Sequence, residues 1–443
     1  MKKSSCLLIV ALATFFVGGC ADKGSSAAPP SGFTATAGDG RVKIEWTPNP
    51  SVDYWLFTAT DSSLTANNWL GLPNLVVYTK VATPFYMCGL FRGTTYYIAA
   101  NGRINGGAGG SGSPTISATP YDASWLANTA LSPANLYGAG YTSLKSCSNN
   151  AISAAGSFTA VGAGGAIYTS SDGMIWTNQA APGGFITDLY AVTGYAANLN
   201  NLVTPALRWV AVGDGGASVY SLDGISWAVG NPYNVASPAL HGISQFSGNF
   251  FAVGDVGTIL SSTDGISWMS HTATSGTTDN LRGVYHGAIY VAVGDNGTIV
   301  TSLDGGTTWT AKTSGTTSTL RQVTSFGSII VAVGDGGTIV TSKDNGATWT
   351  MQVLTGTPSL VGIAAEFRQV INAVSDTQLG YISTMQFVAV DNAGNAYTSV
   401  NGITWSPTGS TGIANLGNLG QPLVASGFGY VAAGNAGATA YAF

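Results

Sequence analysis

The sequence predicts an all-β protein: a seven-bladed β-propeller closed by an N-terminal strand and preceded by a small β-sandwich. Three observations carry this. First, residues 281–310, LRGVYHGAIYVAVGDNGTIVTSLDGGTTWT, recur almost intact at 320–350 as LRQVTSFGSIIVAVGDGGTIVTSKDNGATWT. Each copy holds short alternating or β-branched runs split by a GD-x-G turn and then an S-x-D-x-G-x-T-W turn, the pattern of four antiparallel strands, A to D, in one sheet. Second, Trp176, Trp227, Trp268, Trp309, Trp349 and Trp405 each close such a turn, at spacings of 51, 41, 41, 40 and 56 residues. That is the period of a four-stranded blade, too long for leucine-rich or short helical repeats. Third, the two ends complement each other. After Trp405 the chain offers PLVASGF, GYVAAGN and ATAYAF as strands A, B and C and then stops, while Tyr121-Asp122-Ala123-Ser124-Trp125 imitates the missing turn into strand D. Pairing that N-terminal strand into the last blade closes the ring and removes exposed sheet edges.

The extra length of the second and sixth copies falls between strands A and B, at 193–207 and 367–386, and reads as longer loops that leave the sheets intact. The first twenty residues, MKKSSCLLIVALATFFVGGC, have two lysines, a short apolar run and small residues before Cys20. This is a secretion signal, too short to span a bilayer stably. Val17-Gly18-Gly19-Cys20 resembles the bacterial lipobox, which implies cleavage and lipidation of Cys20; several acyl chains suffice for stable anchoring. Residues 21–30, ADKGSSAAPP, read as a flexible tether. Only 8% of residues are charged and 61 of 443 are Gly, as in exported β-rich proteins, and a net charge of −5 with no basic stripe argues against nucleic acid. Cys88 and Cys147 are left, one in each expected domain, either bridged or simply buried.

Residues 31–119 resemble a fibronectin type III domain. Val42-Lys43-Ile44-Glu45-Trp46 alternates as a strand bearing a core Trp, and Leu90-Phe91-Arg92-Gly93-Thr94-Thr95-Tyr96 follows the family's L-x-P-G-T-x-Y, with Arg92 in place of Pro. The resemblance implies a spacer or adhesion module, because the fold alone specifies no chemistry. Residues 120–443 then form the propeller.

The S-x-D-x-G-x-T-W turns resemble the Asp-box of bacterial neuraminidase repeats. Their residues are Asp172, Asp223, Asp264, Asp304 and Asp344, with Asn401 in the sixth copy. Each side chain can accept backbone N–H bonds and fix the turn, and each Trp buries a ring between blades, so the motif reads as structural. A sialidase would further need an arginine triad and a Tyr/Glu nucleophile pair. Here Phe367-Arg368-Gln369-Val370 is the nearest match to the family's F/Y-R-I-P, and the two glutamates are Glu45, in the sandwich, and Glu366. Five other aspartates, Asp214, Asp255, Asp295, Asp335 and Asp391, are read as the B–C turns. Carboxylates repeated in every blade are scaffold before they are an acid/base pair. His241, His271 and His286 fall at three different repeat positions, so no metal ligand set is implied, and no cofactor motif is present.

One asymmetric feature stands at the start of strand A, the innermost strand. Aligning on a preceding Leu gives Lys145, Tyr190, His241, Arg282, Arg321 and Val361 in copies one to six. The L-R-x-V and V-A-V-G-D-x-G-T-I segments resemble the photosystem II assembly and stability factor family of seven-bladed propellers, which implies an arginine patch that binds a partner protein. The competing reading pairs Arg282 and Arg321 with Asp295 and Asp335. The expectation is a non-enzymatic, lipid-anchored binding or assembly protein of the bacterial cell envelope, at the outer membrane, with an unidentified protein partner. The alternative is a glycan-binding or glycan-hydrolysing surface protein.

Overall fold

The computed structural model describes residues 24–443 except 39–40, 73, 88–89, 91–93, 121–125, 129–133, 143–156, 172, 174, 198–205, 231–237, 357–358, 376–377, 413–415, 421–429 and 443. The signal and lipobox with Cys20, both remaining cysteines, Asp172 and Lys145 lie outside the described residues. The chain divides into two compact units, the second of which contains Thr119–Phe443.

The N-terminal segment builds two sheets, the first of them antiparallel. One has the order Ser26–Ala27, Tyr96–Arg103, Asp53–Ala59, Val76–Val81, with Ile116–Ala118 also on Tyr96–Arg103. The other joins Thr34–Gly38, Arg41–Glu45 and Phe85–Met87. Alternation in VKIEW buries Val42, Ile44 and Trp46, and the Trp46 ring lies edge-on to Tyr54 at 5.8 Å. Arg103 stacks its guanidinium 3.7 Å over the ring of Trp55. Ser26–Ala27, inside the stretch read as a tether, is an edge strand paired with Gly102 and Arg103. The polar composition hid this, because an edge strand pairs through its backbone.

Thr119–Phe443 forms seven four-stranded antiparallel sheets. Strand A runs over Leu136–Thr142, Leu189–Ala197, Leu240–Phe246, Leu281–His286, Leu320–Phe326, Leu360–Ser375 and Leu416–Gly420 in blades one to seven. Each strand A lies beside that of the next blade, and the seventh lies beside the first, so these strands ring the axis. They approach too closely there for side chains: a Cβ on Gly283 would sit 2.8 Å from Gln322 Cα of the next blade. Strand B carries the V-A-V-G runs, buried on both faces.

The cores are seams between blades. Trp309 packs with Phe251 and Val253 of blade three and with Leu281 and Val300 of blade four, and Trp349 and Trp405 close the next two seams in the same way. The turn chemistry holds as expected. In blade four Asp304 Oδ1 accepts from Ser302 Oγ (2.8 Å) and the Thr308 amide (2.9 Å), and the Trp309 indole donates to the Gly306 carbonyl (3.0 Å). The Thr308 hydroxyl, donating to Asp304 Oδ2 at 2.6 Å, together with the Thr308 amide and Ser302 Oγ, holds the Asp304 carboxyl down at about 2. Asp223, Asp264 and Asp344 sit in the same kind of turn, and Asn401 replaces them without loss, accepting from Ile403 and Thr404 at 2.8 Å.

The ring closes as the sequence predicts. Leu126–Ala127, directly after Trp125, pairs as strand D with Thr439–Ala442, opposite Tyr441 and Ala440. Three details differ. Strand A of blade one is Leu136–Thr142 and strand A of blade seven is Leu416–Gly420, whereas the sequence candidates for these places, Lys145 and PLVASGF, lie outside the described residues. The sixth insertion is not a loop: strands A and B lengthen to 16 and 14 residues and pair continuously from Leu360↔Asp391 to Ser375↔Gln378. Its alternating, β-branched sequence is itself strand-forming.

Candidate functional site

The start of strand A carries the same irregularity in every blade. In blade four Leu281 pairs with Gly294 and Gly283 with Val293, so Arg282 is the extra residue of a β-bulge. The register slips identically at Tyr137, Tyr190, His241, Arg321, Val361 and Gly417. The cause is local. In blades one to six the residue before the Leu accepts a backbone hydrogen bond from the residue just beyond strand B, as Asn280 does from Asp295 at 2.9 Å. This ties the chain back across the turn, and a Cβ on Gly294 would overlap the Asn280 carbonyl oxygen. A bulge re-aims its extra side chain. The candidate residues Tyr190, His241, Arg282 and Arg321 are thus bulge residues gathered on the face that bears the B–C turns. Tyr137, not Lys145, completes them in blade one.

The ring is filled unevenly. Tyr137 and Tyr190 pack at 5.6 Å between centroids, and Tyr190 stacks on His241 at 5.5 Å. His241 Nε2 is 2.7 Å from Asp255 Oδ1 and 3.0 Å from Arg282 Nη1; one nitrogen cannot donate to the first while accepting from the second, so it serves one at a time. Arg282 clamps Asp295 through Nε and Nη2 at 3.0 and 2.8 Å, and Asn280 and Thr319 also donate to that carboxylate. The pairing raises the Arg282 pKa and lowers that of Asp295. Arg321 makes the same fork to Asp335 at 2.6 and 3.1 Å in a more exposed setting. Blades six and seven contribute only Val361 and Gly417. Of the two sequence readings, the geometry shows the pairing: both arginines are partners of the B–C aspartates. Burial and the carboxylates of Asp214 and Asp188 push the Tyr190 hydroxyl up, so it stays a neutral donor.

Two further residues stand out on this face, one not anticipated and one that the sequence reading placed one position too far into its turn. Val256, in the B–C turn of blade three, has φ +56° and is 58% exposed. The equivalent position is Gly215, Asn296 or Gly336 in neighbouring blades, residues that tolerate this backbone, whereas a β-branched side chain is strained there. Asp391 is the second. It aligns with Gly294, not Asp295, because blade six reads V-A-V-D-N, and it pairs with Leu360. Fully buried, it accepts from the amides of Ala393 and Asn395, from Asn395 Nδ2 and from the Tyr397 hydroxyl, all at 2.9 Å. It is a structural hub, and with burial it pushes the Tyr397 pKa up to about 12.

The other sequence candidates do not converge. His271 Nε2 lies 2.8 Å from Ser261 Oγ, and His286 is buried among Phe246, Phe251 and Tyr290. Among the described residues no group of three or more His, Cys, Asp or Glu is placed to hold a metal. Glu366 and Arg368 lie on the extended strand A of blade six, opposite Gln386 and Thr384.

Comparison with known proteins supports the fold. The family model described as the DUF6242 beta propeller domain matches residues 206–320, from strand B of blade two to the start of blade five. No curated protein matches the sequence. Among solved structures, YCF48 from Cyanidioschyzon merolae is similar at 16% identity and a TM-score of 0.49, covering 72% of this chain and 98% of that one. YCF48 bound to D1 peptide aligns at 16% identity with a TM-score of 0.50, covering 72% and 96%. The WD40 beta propeller domain of Doa1 aligns at 8% identity with a TM-score of 0.51, covering 72% and 97%. At these identities the likeness is one of fold: the second unit is a β-propeller similar in architecture to these proteins.

Proposed function

We propose that the chain is a non-enzymatic binding or assembly protein that engages a protein partner through the bulge face of its propeller. One observation carries this reading: the structurally equivalent bulges of the seven blades lie on one face and are filled unequally, six with side chains and the seventh with Gly417. A purely structural repeat has no need for aromatic residues in blades one and two, an ion-paired stretch in blades three to five and almost nothing in six and seven. Val256 strengthens it, since an apolar side chain left largely exposed on a strained backbone at this rim costs stability. The YCF48 structure with D1 peptide is a case of this fold binding a segment of another protein. The mixture of Tyr rings and Arg321 suits a protein surface better than a simple anion.

In this reading Cys20 is the lipidated anchor, residues 21–30 link it to a fibronectin type III-like spacer at 31–119, the C–D turns are Asp-boxes with a structural role, and the propeller at 120–443 is held at the outer membrane of a bacterial cell envelope. Site-directed photocrosslinking in native membranes tests the binding face. A crosslinker at Val256 should capture a discrete protein. One at Leu303, which is 83% exposed on the opposite face, should not. The reverse result would move the binding surface to the opposite face, which bears the C–D turns. Hydrolysis of sialosides lost on Glu366→Gln would replace this reading with the glycan-active alternative.

A further inference from the structure

On the face opposite the bulges, between blades two and three, a concavity of about 440 Å³ is lined by Tyr195, Leu207, Arg208, Leu222, Asn249 and Thr263, among others. Arg208 occupies the residue of strand B just before the one that pairs with the C–D turn Ser. The same position in the other blades is Ser157, Asn249, Ile289, Ile329, Gln386 and Gly429. In blades four and five the Ile packs against the C–D turn glycine of the following blade: a Cβ on Gly346 would meet Ile289 Cδ1 at 2.7 Å, and one on Gly402 would meet Ile329 Cγ2 at 3.3 Å. The Arg208 stem does the same job for Gly265, its Cδ lying 3.6 Å from that Cβ position. The seam is thus satisfied by a hydrocarbon, and the guanidinium is surplus to it.

Its head group donates one bond, from Nη1 to the Asp264 carbonyl oxygen. The Asp264 carboxylate is turned away into its own turn, accepting from Ser262 Oγ and the amides of Ile266 and Ser267. Among the described residues Arg208 forms no ion pair, in contrast to Arg282 and Arg321. A half-buried arginine with donors to spare, beside a Tyr ring and two leucines, with an amide and a hydroxyl on the rim, has the composition of a small-ligand pocket. The volume suits one ring-sized body.

We propose that this pocket binds a small organic carboxylate with a ring-sized body, the carboxylate on the Arg208 fork and the ring against Tyr195 and Leu222. This site is independent of the bulge face and does not rest on the partner-binding reading. The test is calorimetric titration of the full chain with D-glucuronate and with hippurate, which separate a sugar acid from an aryl-amide acid, and with the methyl ester of each. Binding of either acid, weakened by roughly tenfold or more in its ester and in Arg208→Ile, is the expected result, since a charged bidentate pair is lost in both. Arg208→Ile installs the residue that blades four and five use, so thermal unfolding should be unchanged; should it unfold, Arg208→Gln, the residue of blade six, replaces it. Binding that survives in the ester or in the folded Arg208 variant, or no binding of either acid up to about 10 mM, overturns the proposal.

Discussion

Asn128 fastens the ring. It follows the closing strand Leu126–Ala127, and its amide donates to Thr439 Oγ1 (2.9 Å) on strand C of blade seven and to the Gly173 carbonyl (2.7 Å) in the C–D turn of blade one. Its backbone N–H donates to the Thr439 carbonyl at 2.8 Å. The side chain thus bridges the last blade and the first, as Asn135 Oδ1 also does by accepting from the Ala436 amide at 3.0 Å. Asn128→Ala removes both side-chain bonds and strands a carbonyl and a fully buried hydroxyl. At about 1 kcal/mol per bond with a further share for the orphaned groups, the loss is roughly 2–3 kcal/mol. For a unit of this size that lowers the melting temperature by about 3–4 °C. Asn128→Asp should not rescue, because it turns a carboxylate oxygen toward the Gly173 carbonyl where a donor is needed. Urea unfolding followed by Trp fluorescence, with native-state proteolysis of the segment after residue 128, reads both the global and the local effect. A change below about 0.5 kcal/mol in Asn128→Ala, or wild-type stability in Asn128→Asp, would refute the reasoning.

Asp391→Ala leaves four donors of blade six without their acceptor at the base of the long hairpin; a loss of about 3–5 kcal/mol is expected in urea unfolding, and a loss under about 1 kcal/mol would deny it the role of a hub. His286 gives the fold a pH dependence. Burial lowers its pKa to about 4 from the ordinary 6.5, opposed only in part by the Phe246 backbone. The unfolded chain therefore binds the proton more readily, so stability is full above about pH 6.5 and declines as pH falls toward 4, by about 2 kcal/mol at pH 5 relative to pH 7. Calorimetry at both pH values on wild type and His286→Phe checks this; an equal acid loss in the variant would assign it elsewhere.

The blade count and ring closure were legible because they rest on turn chemistry that sits within a few residues: Ser, Asp or Asn, Gly and Trp close together announce the C–D turns of blades one to six. The bulges were not legible as bulges. A two-against-one pairing is a property of register between strands, and nothing local to L-R-G distinguishes it from regular strand. The same limit explains Lys145. Leu144-Lys145 looks like the other Leu-x pairs, but the strand is fixed by pairing Leu136 with Gly162, which the sequence shows only once the partner is known. Asp391 was misread by one position because V-A-V-D lacks the glycine that marks the frame. The long hairpin of blade six was read as a loop because insertions usually are, although its own alternation argued for strands.

The central claim, that the bulge face binds a protein partner, is tested most directly by the affinity of the crosslinked partner for the full chain carrying Val256→Asn with Arg321→Ala. Asn is native at the equivalent turn position of blade four and relieves the left-handed backbone, which should add about 1 kcal/mol of stability. The Arg321–Asp335 pair is exposed, so its loss costs less than about 1 kcal/mol. The double variant should melt at or slightly above the wild-type temperature and bind its partner roughly tenfold or more weakly, measured by calorimetry or surface-bound kinetics. Unchanged affinity in a normally folded double variant would contradict the account.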